Sequence, residues 1–213
     1  MSLGAENPPI SPSTRDDLPR LGVFLSGGGR TLENLLERTH AGDLPATIAL
    51  VVASRECRGA DIARAAGVET LVLPGRLSAD QVGSLARDHR LDWIVLAGYL
   101  KLLAIPPALR GRVVNIHPAL LPSFGGPGMH GLHVHQAVLA SGARESGCTV
   151  HLCDDRYDTG PVILQKRCPV LPDDTPESLA ERVFALERNA YPEALVQLLA
   201  GRAPEGRRPT TGE

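Results

Sequence analysis

A repeated alternation of short apolar runs with amphipathic stretches constrains this chain most. The runs Leu21–Leu25, Ile48–Ala53, Thr70–Leu73, Trp93–Leu96 and Val113–Ile116 lack polar alternation, so each must be covered on both faces. Between the first four lie helical patterns. Thr31–His40 puts Leu32, Leu35 and Leu36 on one face, and Asp61–Ala66 ends at Gly67. Ser78-Ala79-Asp80-Gln81 reads as a capping box that opens a helix to His89. Strand and helix in that order predict an α/β architecture: a mostly parallel, twisted sheet with helices on both faces, Rossmann-like.

After Pro118 the pattern changes. Four glycines (Gly125, Gly126, Gly128, Gly131) precede a helix near Val134–Ala140, and Cys148–Leu152 and Val162–Cys168 read as paired strands. Thr175-Pro176 starts a last helix, with Thr at the N-cap and Pro at the first position. Pro192 is expected to kink or restart it. The expected layout is one domain over residues 19–202, with an N-terminal half to about residue 112 and a C-terminal half from about 113. Residues 1–18 and 203–213, polar and aperiodic, read as a disordered tail and a flexible tail.

Composition narrows the function classes. Aromatic residues are only 3% of the chain, so the core must be built of Leu, Val, Ala and Ile. A formal net charge of -2 argues against a nucleic-acid or membrane surface. No apolar run approaches the roughly 18 residues of a membrane span, and the N-terminus lacks a signal-peptide pattern. The four cysteines form no CxxC pair, which suggests reduced thiols and a cytoplasmic setting. Monomer and homodimer both stay open.

Two constellations carry chemistry. Ser26-Gly27-Gly28-Gly29-Arg30-Thr31 follows a strand and opens a helix. Bare glycine backbone at a helix N-terminus offers N–H groups to an anion, and a phosphate is the natural guest. The loop is neither GxGxxG nor a Walker motif, so a dinucleotide or triphosphate is not indicated. An ordinary strand-to-helix turn would also look like this. The second constellation is Asn115 and His117 in Val114-Asn115-Ile116-His117-Pro118-Ala119-Leu120-Leu121-Pro122, with Asp158 in Tyr157-Asp158-Thr159-Gly160-Pro161. Two residues apart, Asn115 and His117 project to one side of a strand, at the carboxyl end where parallel sheets bind ligands. Asn can donate to an oxyanion, His can move a proton near neutral pH, and Asp can orient the His or take the proton. A turn aspartate and a structural histidine would give the same letters.

Residues 114–122, with Gly147-Cys148-Thr149-Val150-His151 and Asp158-Thr159-Gly160-Pro161-Val162-Ile163, resemble the folate-dependent formyltransferases. The likeness runs from about Leu21 to Gly201, and the Ser26–Leu32 loop points to the branch that formylates glycinamide ribonucleotide in purine biosynthesis. The resemblance implies a Rossmann-like formyltransferase fold and 10-formyltetrahydrofolate as co-substrate, with no metal. It makes Asn115, His117 and Asp158 catalytic, with a charged His117 beside the oxyanion and Asp158 keeping it charged. It assigns Gly27, Gly28, Gly29, Arg30, Thr31, Leu100, Pro118 and Glu187 to the acceptor, Glu187 on the ribose hydroxyls. Leu96, Lys101, Leu102, Leu103, Asn115, Cys153, Asp154, Asp155 and Tyr157 would line the folate site. Arg30 and Thr31 stand where a Ser or Thr and an Asn are commoner, so Arg30 is either an added phosphate contact or a solvated side chain. Lys101 stands where Arg is common. Glu187 read without the resemblance is a solvated helix face.

His130, His133 and His135 are spaced as metal ligands sometimes are, but no Cys or carboxylate interleaves, and no zinc site is expected. Phe124–Gly131 is expected to be a mobile flap with His133 near the ligands, and His151 to buttress the site. Rival functions are a formyltetrahydrofolate hydrolase and a methionyl-tRNA formyltransferase. Both are disfavoured because the first adds an N-terminal regulatory domain and the second a basic C-terminal one. A non-catalytic ligand-binding module is the third. It would be favoured if Asn115, His117 and Asp158 lay more than about 10 Å apart.

Overall fold

A computed structural model of the chain describes residues 18–201; both expected tails fall outside these, apart from Leu18. Seven strands form one sheet: β1 (Arg20–Leu25), β2 (Thr47–Ala53), β3 (Thr70–Val72), β4 (Trp93–Leu96), β5 (Val113–His117), β6 (Glu145–Leu152) and β7 (Val162–Pro169). Their spatial order is β3-β2-β1-β4-β5-β6-β7. The first five run parallel, β6 returns antiparallel to β5, and β7 is antiparallel to β6 and so points the same way as the first five. The chain leaves β1 toward β2 and later crosses back to β4 on its other side. The loops after β1 and β4 therefore diverge at a switch point, the usual ligand crevice of such sheets.

Alternation within each strand feeds two cores. Leu21, Val23 and Leu25 of β1 enter one, together with Leu32 and Leu35 of α1 (Arg30–Ala41), Ala60 and Ala63 of α2 (Arg58–Ala65), Val138 of α4 (Leu132–Ala140), and Leu179, Val183 and Leu195 of α5 (Pro176–Leu199). Phe24 enters the other, with Val82 and Ala86 of α3 (Ala79–Asp88). Helices thus cover both faces, unevenly, as the apolar runs require. The cap at Ser78 is the expected reciprocal box with Gln81, and Thr175 caps α5 through Ser178.

One expectation fails. Helix α5 runs unbroken through Pro192, which is buried. Proline cannot donate to the carbonyl four residues back, here that of Arg188. Asn34 of α1 supplies the missing bond, its Nδ2 donating to the Arg188 carbonyl at 3.0 Å. A neighbouring helix replaces what the proline removes. Next to it the Tyr191 hydroxyl, fully buried, lies 2.9 Å from the Leu96 carbonyl and 3.0 Å from that of Val114. That one group ties α5 to β4 and β5 close to the ends that carry the site.

Candidate active site

Strand β5 delivers Asn115 and His117, and β6 determines what they meet. The antiparallel register sets Asn115 opposite His151 and His117 opposite Thr149. Asp158 enters from the loop between β6 and β7 in a left-handed conformation, φ 56°. The trio converges: Asn115 Nδ2 is 3.5 Å from Asp158 Oδ1, and His117 Nδ1 is 3.6 Å from Asp158 Oδ2. His151 Nε2 completes the cluster, 3.2 Å from Asn115 Nδ2 and 3.5 Å from Asp158 Oδ1. His117 and His151 are both buried.

Backbone carbonyls settle the tautomers, because a carbonyl only accepts. His117 Nε2 lies 2.8 Å from the Phe124 carbonyl, so it carries the hydrogen and Nδ1 faces Asp158. His151 Nδ1 donates in the same way to the Leu152 carbonyl at 2.9 Å, which leaves its Nε2 to accept from Asn115. Burial lowers the His117 pKa from its ordinary value and outweighs the opposing pull of Asp158. Burial thus biases the imidazole toward its uncharged form, against the pull of Asp158 that the resemblance implies would keep it charged. Burial pushes the Asp158 carboxyl up, but His151 and His117, when they carry a proton, and the Gly126 amide outweigh it and hold it below its usual range.

The segment expected as a flap is partly pinned. The Phe124 carbonyl holds His117, and the Gly126 amide donates to Asp158 Oδ2 at 2.9 Å. Further back, Thr149 Oγ1 donates to the Ala119 carbonyl at 2.7 Å and accepts from the Leu121 amide at 3.0 Å. The loop after His117 is thereby fastened to β6. His133 does not line the main cavity; His130 and His135 do. In an α-helix, positions separated by two point to different sides, and α4 turns His135 inward. Among the described residues no three His, Cys, Asp or Glu side chains are grouped as metal ligands.

The trio lies at the floor of a cavity of about 520 Å³, whose walls include Arg30, Thr31, Leu100, Pro118, Phe184 and Glu187. Gly27 and Gly28 do not line it, but a side chain at either would meet nothing within 4 Å, so their backbone is open to approach. Gly29 is different. Its φ is 78°, and a Cβ there would lie 2.6 Å from the Gly59 Cα. The glycine loop is therefore partly a packing requirement between α1 and α2. Ser26 anchors it, its Oγ accepting from the Leu100 amide at 3.0 Å and from Ser54 Oγ at 2.7 Å. Arg30 is neither free nor simply solvated. Its guanidinium is forked onto Glu181, with both bonds at 2.6 Å, and sits 3.8 Å over the Phe184 ring. Glu181 and Phe184 have no signal in the sequence, since only tertiary packing places α5 against the start of α1.

Glu187 is not on a solvated face. It is half-buried on the cavity wall, and among the described residues no hydrogen bond or ion pair holds it. Burial raises its carboxyl from 4.5 to about 7 against the pull of Arg30. Between those values the folded chain holds a proton that the unfolded chain has released, so this group costs stability as pH rises through the window. Glu187→Gln is accordingly expected to gain thermal stability over the parent at about pH 8 and to match it at about pH 5, checked by thermal unfolding at both. A gain confined to the acid side would contradict this.

The proposed folate residues divide. Leu96, Lys101, Leu102, Leu103, Cys153, Asp154 and Tyr157 surround a small pocket of about 50 Å³ beside Asn115, His151 and Asp158. Leu102, Tyr157 and Asp155 border a larger adjoining cavity of about 760 Å³. Asp155 does not reach the small pocket; it is exposed and pairs with Arg110 at 3.3 Å. Asp154 shapes the loop instead, accepting from Thr159 Oγ1 at 2.7 Å and from the Arg156 amide at 2.9 Å.

Residues 19–195 match the family model described as formyl transferase. The chain belongs to the formyl transferase family. Among curated formyl transferase relatives, it is 41% identical over 186 residues to the chloroplastic phosphoribosylglycinamide formyltransferase of Arabidopsis thaliana, covering 83% of this chain but only 64% of that protein's length. It is 38% identical to the phosphoribosylglycinamide formyltransferase of Mycobacterium tuberculosis, covering 96% of this chain and 94% of the relative. Among solved structures, glycinamide ribonucleotide transformylase 1 from Symbiobacterium toebii superposes with a TM-score of 0.80 at 36% identity, over 90% of this chain and 92% of that one. A formyltetrahydrofolate deformylase from Pseudomonas syringae also superposes, with a TM-score of 0.76 at 25% identity, over 88% of this chain and 63% of that one. The fold is therefore shared by proteins named as a transformylase and as a deformylase, and the reaction must be argued from the site.

Proposed function

We propose that this formyl transferase moves the formyl group of 10-formyltetrahydrofolate to the primary amine of glycinamide ribonucleotide, a step of purine biosynthesis. One observation carries the reading: the Asn115–His117–Asp158 cluster forms the floor of a cavity whose wall also holds Arg30 and Thr31 at the start of α1. A phosphate at the glycine loop and an amine at the trio would be two ends of one acceptor. Gly27–Gly29, Arg30 and Thr31 would take the phosphate. Leu100, Pro118 and Glu187 would take the ribose and glycinamide. The reduced folate would enter from the Leu96, Leu100–Leu103 and Cys153–Tyr157 side, with Lys101 at the rim. The unpaired state of all four cysteines accords with a reducing, cytoplasmic setting.

The chemistry follows from a missing proton. His117 Nδ1 bears a lone pair and Asp158 a charge, so two acceptors face each other across 3.6 Å. When the amine nitrogen attacks the formyl carbon, the carbonyl electron pair moves to oxygen and the nitrogen becomes cationic. The proton it sheds is the one the His117–Asp158 pair lacks. Protonated at Nδ1, His117 can then donate to the oxyanion alongside Asn115 Nδ2, whose contact with Asp158 is loose at 3.5 Å. Collapse of the intermediate breaks the bond from formyl carbon to N10 of the folate. The same pair returns its proton to N10, directly or through one water.

The test is a direct assay of the purified chain with 10-formyl-folate and glycinamide ribonucleotide, following the deformylated folate by absorbance. Release that requires the ribonucleotide is the expected result. Release without it would replace this reading with hydrolysis, and no release under either condition would leave a binding module.

A further inference from the structure

Among the described residues, four buried side-chain atoms lack any hydrogen-bond partner: Asn34 Oδ1, Tyr99 OH, His135 Nδ1 and Ser146 Oγ. A folded protein rarely leaves such atoms unsatisfied without a reason. Asn34 and Ser146 lie away from the cavity, while Tyr99 and His135 line it. The Tyr99 ring turns to the far core, edge-on to Phe24 with centroids 5.7 Å apart. His135 remains. It is only 4% exposed, belongs to helix α4, and lies near His117 on the wall of the same cavity. Neither of its nitrogens is hydrogen-bonded within the described residues, yet only Nδ1 is sealed. Nε2 is therefore the atom that meets the cavity.

An imidazole with one sealed nitrogen and one open nitrogen puts its hydrogen where a partner can come, so a neutral His135 presents an Nε2–H donor to the cavity. The partner has to be an acceptor close to the trio. In a glycinamide the atom next to the reacting amine that fits is the amide carbonyl oxygen. We infer that His135 is a specificity residue, its Nε2–H donating to the glycinamide carbonyl of the acceptor and so selecting an amine that carries an adjacent amide. The inference rests on the acceptor proposed above and adds a residue to its recognition. It also explains why a buried helix position keeps a polar ring that nothing in the protein satisfies.

The test separates binding from turnover. His135→Phe keeps the ring and deletes both nitrogens, and His135→Gln returns a donor near the Nε2 position. Binding of glycinamide ribonucleotide and of ribose 5-phosphate is measured by calorimetry without folate, so the result does not depend on formyl transfer. His135→Phe should weaken glycinamide ribonucleotide about tenfold, the size of one lost hydrogen bond, and leave ribose 5-phosphate unchanged. His135→Gln should recover most of the loss. Thermal stability should hold or rise in His135→Phe, because an unsatisfied buried atom is removed. Equal weakening of both ligands, or none, would overturn the inference and leave His135 a packing residue. Failure of the parent to bind glycinamide ribonucleotide at all would instead sink the acceptor assignment.

Discussion

Asp158→Asn is expected to lower kcat for formyl transfer about 10³-fold, within the span of general acid–base effects, while the KM of either substrate moves little. The substitution is nearly isosteric. An asparagine oxygen can still accept from the Gly126 amide, which now donates to Asp158 Oδ2 at 2.9 Å. The loop should therefore keep its place, and circular dichroism should be unchanged. What disappears is the charge beside His117 Nδ1. His117 is already biased toward the neutral form by burial. Without the carboxylate it has nothing to hold the proton shed by the amine, so the oxyanion loses a charged donor. The steady-state assay decides: a loss below about tenfold, or a KM rise that accounts for the loss, would show that Asp158 only shapes the loop.

Gly147→Ala should cost about 3 kcal/mol, at the upper end of overpacking penalties, and lower Tm by about 10 °C in a chain of this size. A Cβ at this position in β6 would stand 1.9 Å from the Lys166 carbonyl oxygen and 2.8 Å from Leu120 Cδ2. The first is backbone of the adjoining strand β7 and cannot swing aside as a side chain would. Retreat would mean parting β6 from β7 just where Thr149 and Gln165 hold the loop after His117. Activity should fall with temperature sooner than in the parent, because the same strand carries His151. Thermal unfolding with a shift below about 2 °C would show that the strands can part cheaply.

The two substitutions mark where local sequence information stops. Strand β5 and its paired polar residues were legible because a two-residue spacing in an extended chain puts side chains on one side whatever the neighbours do. The Thr175 and Ser78 caps were legible for the same local reason. Arg30 was not. Nothing between residues 26 and 32 shows that its charge is claimed by Glu181, 151 positions along the chain. Pro192 misled in the same way, since its local effect is real but Asn34 of another helix cancels it. His133 was expected at the ligands and His135 faces them, because the phase of α4 is set by what it packs on.

The alternation of strand and helix, the cap positions and the family motifs around Asn115, His117 and Asp158 could all be read locally, because each depends on residues adjacent along the chain. Folding in three dimensions was needed to return β6 antiparallel and set His151 against Asn115, to hold His117 through Phe124 with Nδ1 toward Asp158, and to bias this histidine toward its neutral form by burial. Protonation and tautomer depend on desolvation and on partners distant in sequence, and those exist only once the chain has folded.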